Sequence, residues 1–333
     1  MFKKDLNIVQ RFPALILVSI MIILCGAIFI FGYGLNLGID YEGGAKVEIE
    51  LASELSDKDA FEKHVKEFIG KENYTVVDKM MESPLSGGGI TYEFRLAYEY
   101  DGNPVEDTDD AQDAFVTRLN ANFKENLTED VEAYLSDLGL ADLFEEDGVN
   151  VAVIGASSSK SLLNRTFIAI ALALVAILVY IMIRFTVSSG LAAICGLTHD
   201  VLVMVALTAI FQIPVNMTFI AAVITIIGYS INSSIVIFDK VRECQKSAAF
   251  VYASDEEIAN YAIKHSLVKI LLSILTTLIM VVALVLFSVS TIQEFILPII
   301  FGLLAGTFSA LCLSPSIWVL FRKLGAKMKS KKA

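Results

Sequence analysis

Residues 227–243 read IGYSINSSIVIFDKVRE, an apolar helical run that carries Ser230, Asn232, Ser233 and Ser234 and then ends in charge. Polar side chains inside a hydrocarbon layer need partners on neighbouring helices, so they face a bundle interior or a pathway rather than lipid. The spacing picks out one side of the helix. Thr225, Asn232 and Asp239 recur every seven residues with Gly228 between them, beside Ile224, Ile231 and Phe238. Two readings fit this pattern: polar contacts between packed helices, or the lining of a path.

Composition agrees with a membrane setting. The 333 residues are 55% hydrophobic, with a mean hydropathy of +0.64, which is too apolar for an average soluble domain. Charge is segregated along the chain. Of the 37 acidic residues only Asp5, Asp200, Asp239, Glu243, Asp255, Glu256, Glu257 and Glu294 lie outside residues 35–158. That stretch reads as a water-soluble acidic domain between spans, and its charge argues against nucleic acid as a partner. Cys25, Cys195, Cys244 and Cys312 all lie outside it, so no disulfide framework holds it.

Working outward, Pro13 to Tyr33 gives about twenty apolar residues, enough to cross a core of about 30 Å. The run is longer than a signal peptide's apolar region and is expected to be an uncleaved anchor. Further apolar runs cover about 161–183, 187–211, 215–238, 266–289 and 295–321, for six spans in all. Lysine and arginine collect at the start of the chain, at the Arg184 turn, in the loop with Lys240, Arg242, Lys246 and Lys264, and in the tail from Arg322 to Lys332. Basic loops stay cytoplasmic, which puts both termini inside and residues 35–158 outside. The expected organisation is 1–34 (N-terminus and first span), 35–158 (external domain) and 159–333 (spans two to six with a cytoplasmic tail).

Within the external stretch, Val47, Ile49 and Leu51 alternate with Glu48 and Glu50 as in a strand, after a bend at Gly43 and Gly44. Asp57–Ile69 has helical spacing. Tyr74–Lys79 and Ile90–Tyr98 look like strands joined through the turn SPLSGGG, residues 83–89. Asp109–Phe123 and Leu127–Leu138 look helical, and Val149–Ile154 closes with a strand. The order β, α, β, β, α, β with an extra helix predicts an α+β domain of ferredoxin-like type.

Three strings, LNLGIDYEGG at 35–44, LTHDV at 197–201 and the 227–243 run, together resemble the SecF family, the six-span partner of SecD in bacterial protein export. The resemblance covers nearly the whole chain. Its motif positions are Gly38, Asp40, Gly43, Gly44, His199, Gly228, Ser233, Asp239 and Arg242. It implies a resistance-nodulation-division bundle completed by a SecD-like chain, work beside the SecYEG channel in the cell membrane, an external domain that engages the translocating preprotein, and drive from proton flow. Membrane lipid is the remaining expected partner. The chain departs from the family in two places. SecF sequences commonly read Asn-Asp-Thr where this one has Asn232, Ser233 and Ser234, so the expected proton-carrying aspartate is a serine. The family's arginine near the start of span five appears as Lys269.

The residues themselves offer another titratable group. Asp200 stands about thirteen residues, or about 20 Å, into span three, near mid-membrane. An ionised carboxylate there costs roughly 2.5–3.5 kcal/mol on insertion scales, so it must be paired, hydrated or protonated. Its neighbour His199 is expected about 100° away around the helix. Lys269, Ser273, Thr276 and Thr277 form a polar stripe at the start of span five. Asp200, Asn232, Lys269, Thr276 and Thr277 are therefore the expected members of one proton or ion path, with a structural hydrogen-bond network as the alternative. Gly302 and Gly306, extended by Ser309, make a close-packing motif in span six.

No phosphate loop, nucleophile triad or metal cluster is visible, and His64, His199 and His265 fall in three different regions. No cofactor, metal or enzymatic activity is expected. The competing functions are a half-transporter of the same superfamily for lipids or small molecules, and a proton-independent scaffold of the channel. An external domain of about 120 residues is small for an exporter with substrate pockets.

Overall fold

Residues 7–77, 80–84, 89–106, 108–287 and 290–330 are described by the computed structural model. The chain divides into two units: residues 37–167 with 287–293, and residues 1–36, 168–286 and 294–333.

The first unit opens with a short helical turn, α2 (Ile39–Glu42), that leads into strand β1 (Gly44–Leu51). Helix α3 (Lys58–Lys71) starts where the Asp57 carboxylate accepts from the Ala60 N–H at 3.0 Å. Strands β2 (Met81–Pro84) and β3 (Ile90–Leu96) follow, then a small hairpin of β4 (Glu99–Tyr100) and β5 (Asn103–Pro104). Helix α4 (Asp109–Arg118) continues through a π-turn, Leu119–Phe123, into α5 (Lys124–Asp137), and β6 (Phe144–Ile154) closes the unit. The main sheet is wholly antiparallel in the order β2-β3-β1-β6.

Period-two alternation sorts the sheet into two faces. Ala45, Val47, Ile49 and Leu51 of β1, with Ile90, Tyr92, Phe94 and Leu96 of β3, join Phe61, Val65 and Ile69 of α3 and Leu127, Val131 and Leu135 of α5 in one core. The other face carries an ion ladder. Lys46 pairs with Glu48 at 2.7 Å and with Glu93 at 3.3 Å, and Arg95 with Glu93 at 3.2 Å. Gly44 enters β1 at φ 133°, and a Cβ there would collide with the Leu96 carbonyl oxygen. Only glycine fits that conformation at that distance.

Three expectations for this unit need correction. The second strand is Met81–Pro84, not Tyr74–Lys79: residues 74–77 make only an isolated bridge, Val76 with Leu96. Asp78, Lys79 and Leu85–Gly88, parts of the expected strand and turn, lie outside the described residues. The helices expected to break after Phe123 are continuous, because the π-turn absorbs the extra residue. The last strand begins at Phe144, five residues early, pairing Leu51 with Phe144 across a bulge.

The second unit holds α1 (Phe12–Tyr33), α7 (Val187–Ile210), α8 (Met217–Lys246), α9 (Asp255–Phe287) up to Leu286, and most of α6 (Ala156–Arg184). From Glu294 it also takes in α10 (Ser290–Phe308), which continues through a π-turn, Ser309–Leu313, into α11 (Ser314–Ser330). Among the described residues six helices are long and apolar enough to cross a membrane: Val9–Tyr33, Ser161–Ile181, Val187–Ile210, Met217–Lys246, Asp255–Val285 and Glu294–Lys327. The last treats α10, the π-turn and α11 as one span. Helix α7 is central, packed against α1, α8 and α11. Its buried side is built from small residues, Ser189, Gly190, Ala192, Ala193 and Gly196, which let neighbouring backbones come close. By contrast α6 and α9 bury only 6% and 17% of their apolar windows, so both present wide apolar faces outward.

Candidate functional site

Helices α7, α8 and the last span meet at Asp200, which is fully buried. Ser230 of α8 donates its hydroxyl to Asp200 Oδ2, and Ser309 donates to the same oxygen at 2.8 Å. The other oxygen, Oδ1, lies 2.9 Å from His199 Nδ1. Charge-assisted bonds of this kind stabilise a carboxylate that water cannot reach. The three helices can close on the group because of glycine: a Cβ at Gly306 would stand 3.2 Å from Ser230 Oγ and 3.5 Å from Asp200 Oδ2.

Ser309 lies where α10 passes into the π-turn, on the same stripe as Gly302 and Gly306. Such turns recur at functional sites. The Ser309 hydroxyl also lies 3.2 Å from the Gly306 carbonyl. Both Ser230 and Ser309 are 3% exposed or less. Among the described residues His199 Nε2 and Ser314 Oγ are buried without a hydrogen-bond partner.

The structure buries Asp200 in a polar cluster, but with partners other than the residues the sequence grouped with it. Asn232 is exposed, as are Thr225 and Gly228. The buried side of α8 instead follows Ile226, Ser230, Ser233, Ser234 and Ile237, so the seven-residue stripe lies on the helix's open face. Lys269 and Thr276 are exposed on α9, and the imidazole beside Asp200 is that of His199, not the Lys269 ammonium. Thr276 donates back to the Ser273 carbonyl at 2.8 Å. Thr277 lies 3.0 Å from the Tyr229 hydroxyl, which joins α8 to α9. His199 is the other correction. Adjacent helical positions diverge by about 100° at Cβ, yet the imidazole is long enough to fold back onto the carboxylate.

The remaining motif residues take structural places. Gly38 precedes the α2 turn that holds Asp40, and accepts from the Tyr41 N–H at 2.9 Å. Gly43 ends that turn before Gly44 starts β1. Ser233 is 7% exposed. At the charged end of α8, Asp239 pairs with Arg184 at 3.1 Å, and Arg242 donates to the Arg184 carbonyl at 3.3 Å. Ser230 and Ser309 were both visible in the sequence, one in the 227–243 run and one beside the Gly302/Gly306 motif. Their meeting with Asp200 needed the helix contacts.

Residues 140–324 match the model of the protein export membrane protein SecD/SecF, C-terminal, family, and residues 28–53 match the SecD/SecF GG motif. The chain belongs to the SecD/SecF family of protein-export membrane proteins. It is 29% identical over 331 residues to protein translocase subunit SecF of Sebaldella termitidis, covering 98% of this chain and 96% of that one. It is 30% identical over 309 residues to protein translocase subunit SecDF of Bacillus subtilis, covering 91% of this chain but 36% of that one. Rickettsia felis SecF is 28% identical over 93% of this chain and 90% of its own. A crystal structure of SecDF, a translocon-associated membrane protein from Thermus thermophilus, shares the fold at a TM-score of 0.72 and 22% identity, over 97% of this chain and 40% of that one. Membership in the SecD/SecF family makes this a multi-pass membrane component of the protein-export machinery.

Proposed function

We propose that the chain is the SecF-type half of a heterodimer with a SecD-like chain, which sits beside a SecYEG-type channel and uses proton flow to promote preprotein translocation. The observation that carries this reading is Asp200, a fully buried carboxylate met by Ser230, Ser309 and His199 in the middle of the helix bundle. An ionisable group in such a place marks an ion or proton path by default. Proton binding and release at Asp200 takes over the role that Ser233 cannot fill, since a serine hydroxyl does not titrate in the accessible range.

End-to-end coverage of SecF relatives, against about a third of SecDF, supports a chain that supplies one half of a two-part unit. The exposed polar positions Thr225, Asn232, Lys269 and Thr276 then face the second half rather than lipid. The sheet order β2-β3-β1-β6 with α3 and α5 supports a ferredoxin-like external domain that meets the emerging preprotein. Both termini lie in the cytoplasm, as the basic clusters require. The chain does its work without a cofactor, metal or covalent chemistry, within membrane lipid, and without nucleic acid.

The test uses membrane vesicles from cells depleted of this chain. Restoring it should raise gradient-dependent preprotein export, and a SecD-like chain should copurify with it in mild detergent. Export indifferent to its return, or a stable homodimer alone, would defeat the proposal.

A further inference from the structure

Helix α6 follows the sheet almost without a break. Strand β6 ends at Ile154 and α6 starts at Ala156, and the Gln112 side chain packs against Gly155 between them. The α2 turn then grips the first three turns of the helix. The Ser159 hydroxyl lies 3.1 Å from the Gly155 carbonyl and 3.3 Å from the Ile39 carbonyl, and the side chains of Tyr41 and Thr166 share a hydrogen bond. Tyr41, Ser159 and Thr166 are each 7% exposed or less. As far as Phe167, α6 is therefore part of the sheet unit.

The far end of α6 is held in the bundle. Ile181 is buried and closes on Gly190 of α7, where a Cβ would stand 2.9 Å from Ile181 Cγ2, and Arg184 pairs with Asp239 of α8 at 3.1 Å. Between its ends α6 is the least buried of the six spans. A gap of about 320 Å³ opens there, with Ile170 and Leu174 of α6 on one side and Leu197, Thr198 and Val201 of α7 and Val223 of α8 among its other walls. All of the lining is apolar apart from Thr198, so a change in the width of the gap costs packing rather than hydrogen bonds. Leu197 and Val201 neighbour Asp200 on α7, and Asp200 ties α7 to α8 through Ser230. A change of charge at Asp200 thus acts on two walls of the gap.

We propose that α6 is a lever: when Asp200 gains or loses its proton the gap changes width, α6 tilts about its Ile181–Arg184 end, and the sheet unit turns with it. This rests on the reading of Asp200 as the proton-binding group and of the sheet unit as the part that meets the preprotein. Tyr41 and Ser159 are positioning residues that pass the tilt on, which gives the turn between Gly38 and Gly43 its role. On the α1 side the motion is absorbed. Asn36 is fixed to the bundle, accepting from the Val215 N–H at 2.7 Å and donating to the Gln212 carbonyl at 2.9 Å, and the sheet unit starts at Leu37, so Leu37 and Gly38 act as the hinge.

The experiment uses the full chain with its partner in inverted membrane vesicles and reads the gradient-dependent increment in preprotein export. It also reads two spin-label distances in a background whose four native cysteines are replaced by alanine. Glu67→Cys with Phe31→Cys spans from the sheet unit to the bundle, and Glu67→Cys with Phe167→Cys lies within the sheet unit. With no further change, the first distance should shift with the imposed gradient and the second stay fixed. Leu174→Trp fills the gap from the α6 side and should lose both the shift and the increment, whereas Leu174→Ala leaves the gap open and should keep them. Tyr41→Phe combined with Ser159→Ala should broaden the second distance and reduce the increment. A full increment in Leu174→Trp while Asp200→Asn has none overturns the lever and leaves the Asp200 assignment standing. A full increment in Asp200→Asn overturns both. An unshifted first distance, or a second that shifts as much, also overturns the lever. Should Leu174→Trp fail to accumulate, the Tyr41→Phe and Ser159→Ala combination decides: a reduced increment supports the lever and an unchanged one overturns it.

Discussion

Substituting alanine at Gly44 and at Gly102 imposes the same methyl group on two backbones with positive φ, 133° and 69°, and separates conformational strain from close contact. At Gly102 the new Cβ meets nothing within 4 Å, so the cost is the left-handed backbone alone, about 1–2 kcal/mol. At Gly44 the φ lies in a region used almost only by glycine, worth about 1–3 kcal/mol. The Cβ also collides with the Leu96 carbonyl, and moving that carbonyl disturbs the β1–β3 ladder for about 1 kcal/mol more. Gly44→Ala should therefore cost roughly 3 kcal/mol or more, about twice the loss at Gly102. The assay is urea unfolding of residues 40–155 expressed alone, a piece with its own core. With a slope near 1.5 kcal/mol per molar urea, the midpoints should fall by about 2 M and about 1 M. Equal losses would show that the approach of Leu96 to Gly44 contributes nothing and that the paired glycines serve some other purpose.

Two further outcomes are expected. Burial, reinforced by the Tyr100 phenol and opposed by the Arg118 cation, pushes the Tyr74 hydroxyl up to about 12. A folded-state value above the ordinary 10 favours the neutral form, so stability is intact below about pH 10 and falls as pH rises toward 12. Urea midpoints at pH 9 and 11 should show the fall, and Tyr74→Phe should reduce it. For topology, reporters fused after Ala253 and at Ala333 should be cytoplasmic and one inserted near Gly88 external. An external signal at Ala253 would break the six-span reading.

What the sequence made legible follows from signal length. Six spans stand out because about twenty apolar residues in a row match the thickness of a bilayer core and outrun most buried helices of soluble domains. The strand Met81–Pro84 was hidden for the opposite reason, being four residues long with a proline at its end. In α8 the heptad stripe through Thr225 and Asn232 was an attractive pattern, but burial follows Ile226, Ser230, Ser233 and Ile237, about 80° to 160° away. Polar spacing marks a face without saying which way it turns. The meeting of Ser309 with Asp200 was not legible because it depends on which helices pack together, which the spacing within one span does not give. The contact of His199 with Asp200 depends on side-chain reach, which Cβ directions alone do not give.

The most direct measurement is preprotein export into membrane vesicles carrying Asp200→Asn, with and without an imposed proton gradient. Asparagine keeps the shape and an accepting oxygen for Ser230 and Ser309 but cannot take up and release a proton. The account predicts normal assembly and basal export with no gradient-dependent increment, while Ser233→Ala retains nearly all of it. A full increment in Asp200→Asn would contradict the account and make Asp200 a packing residue.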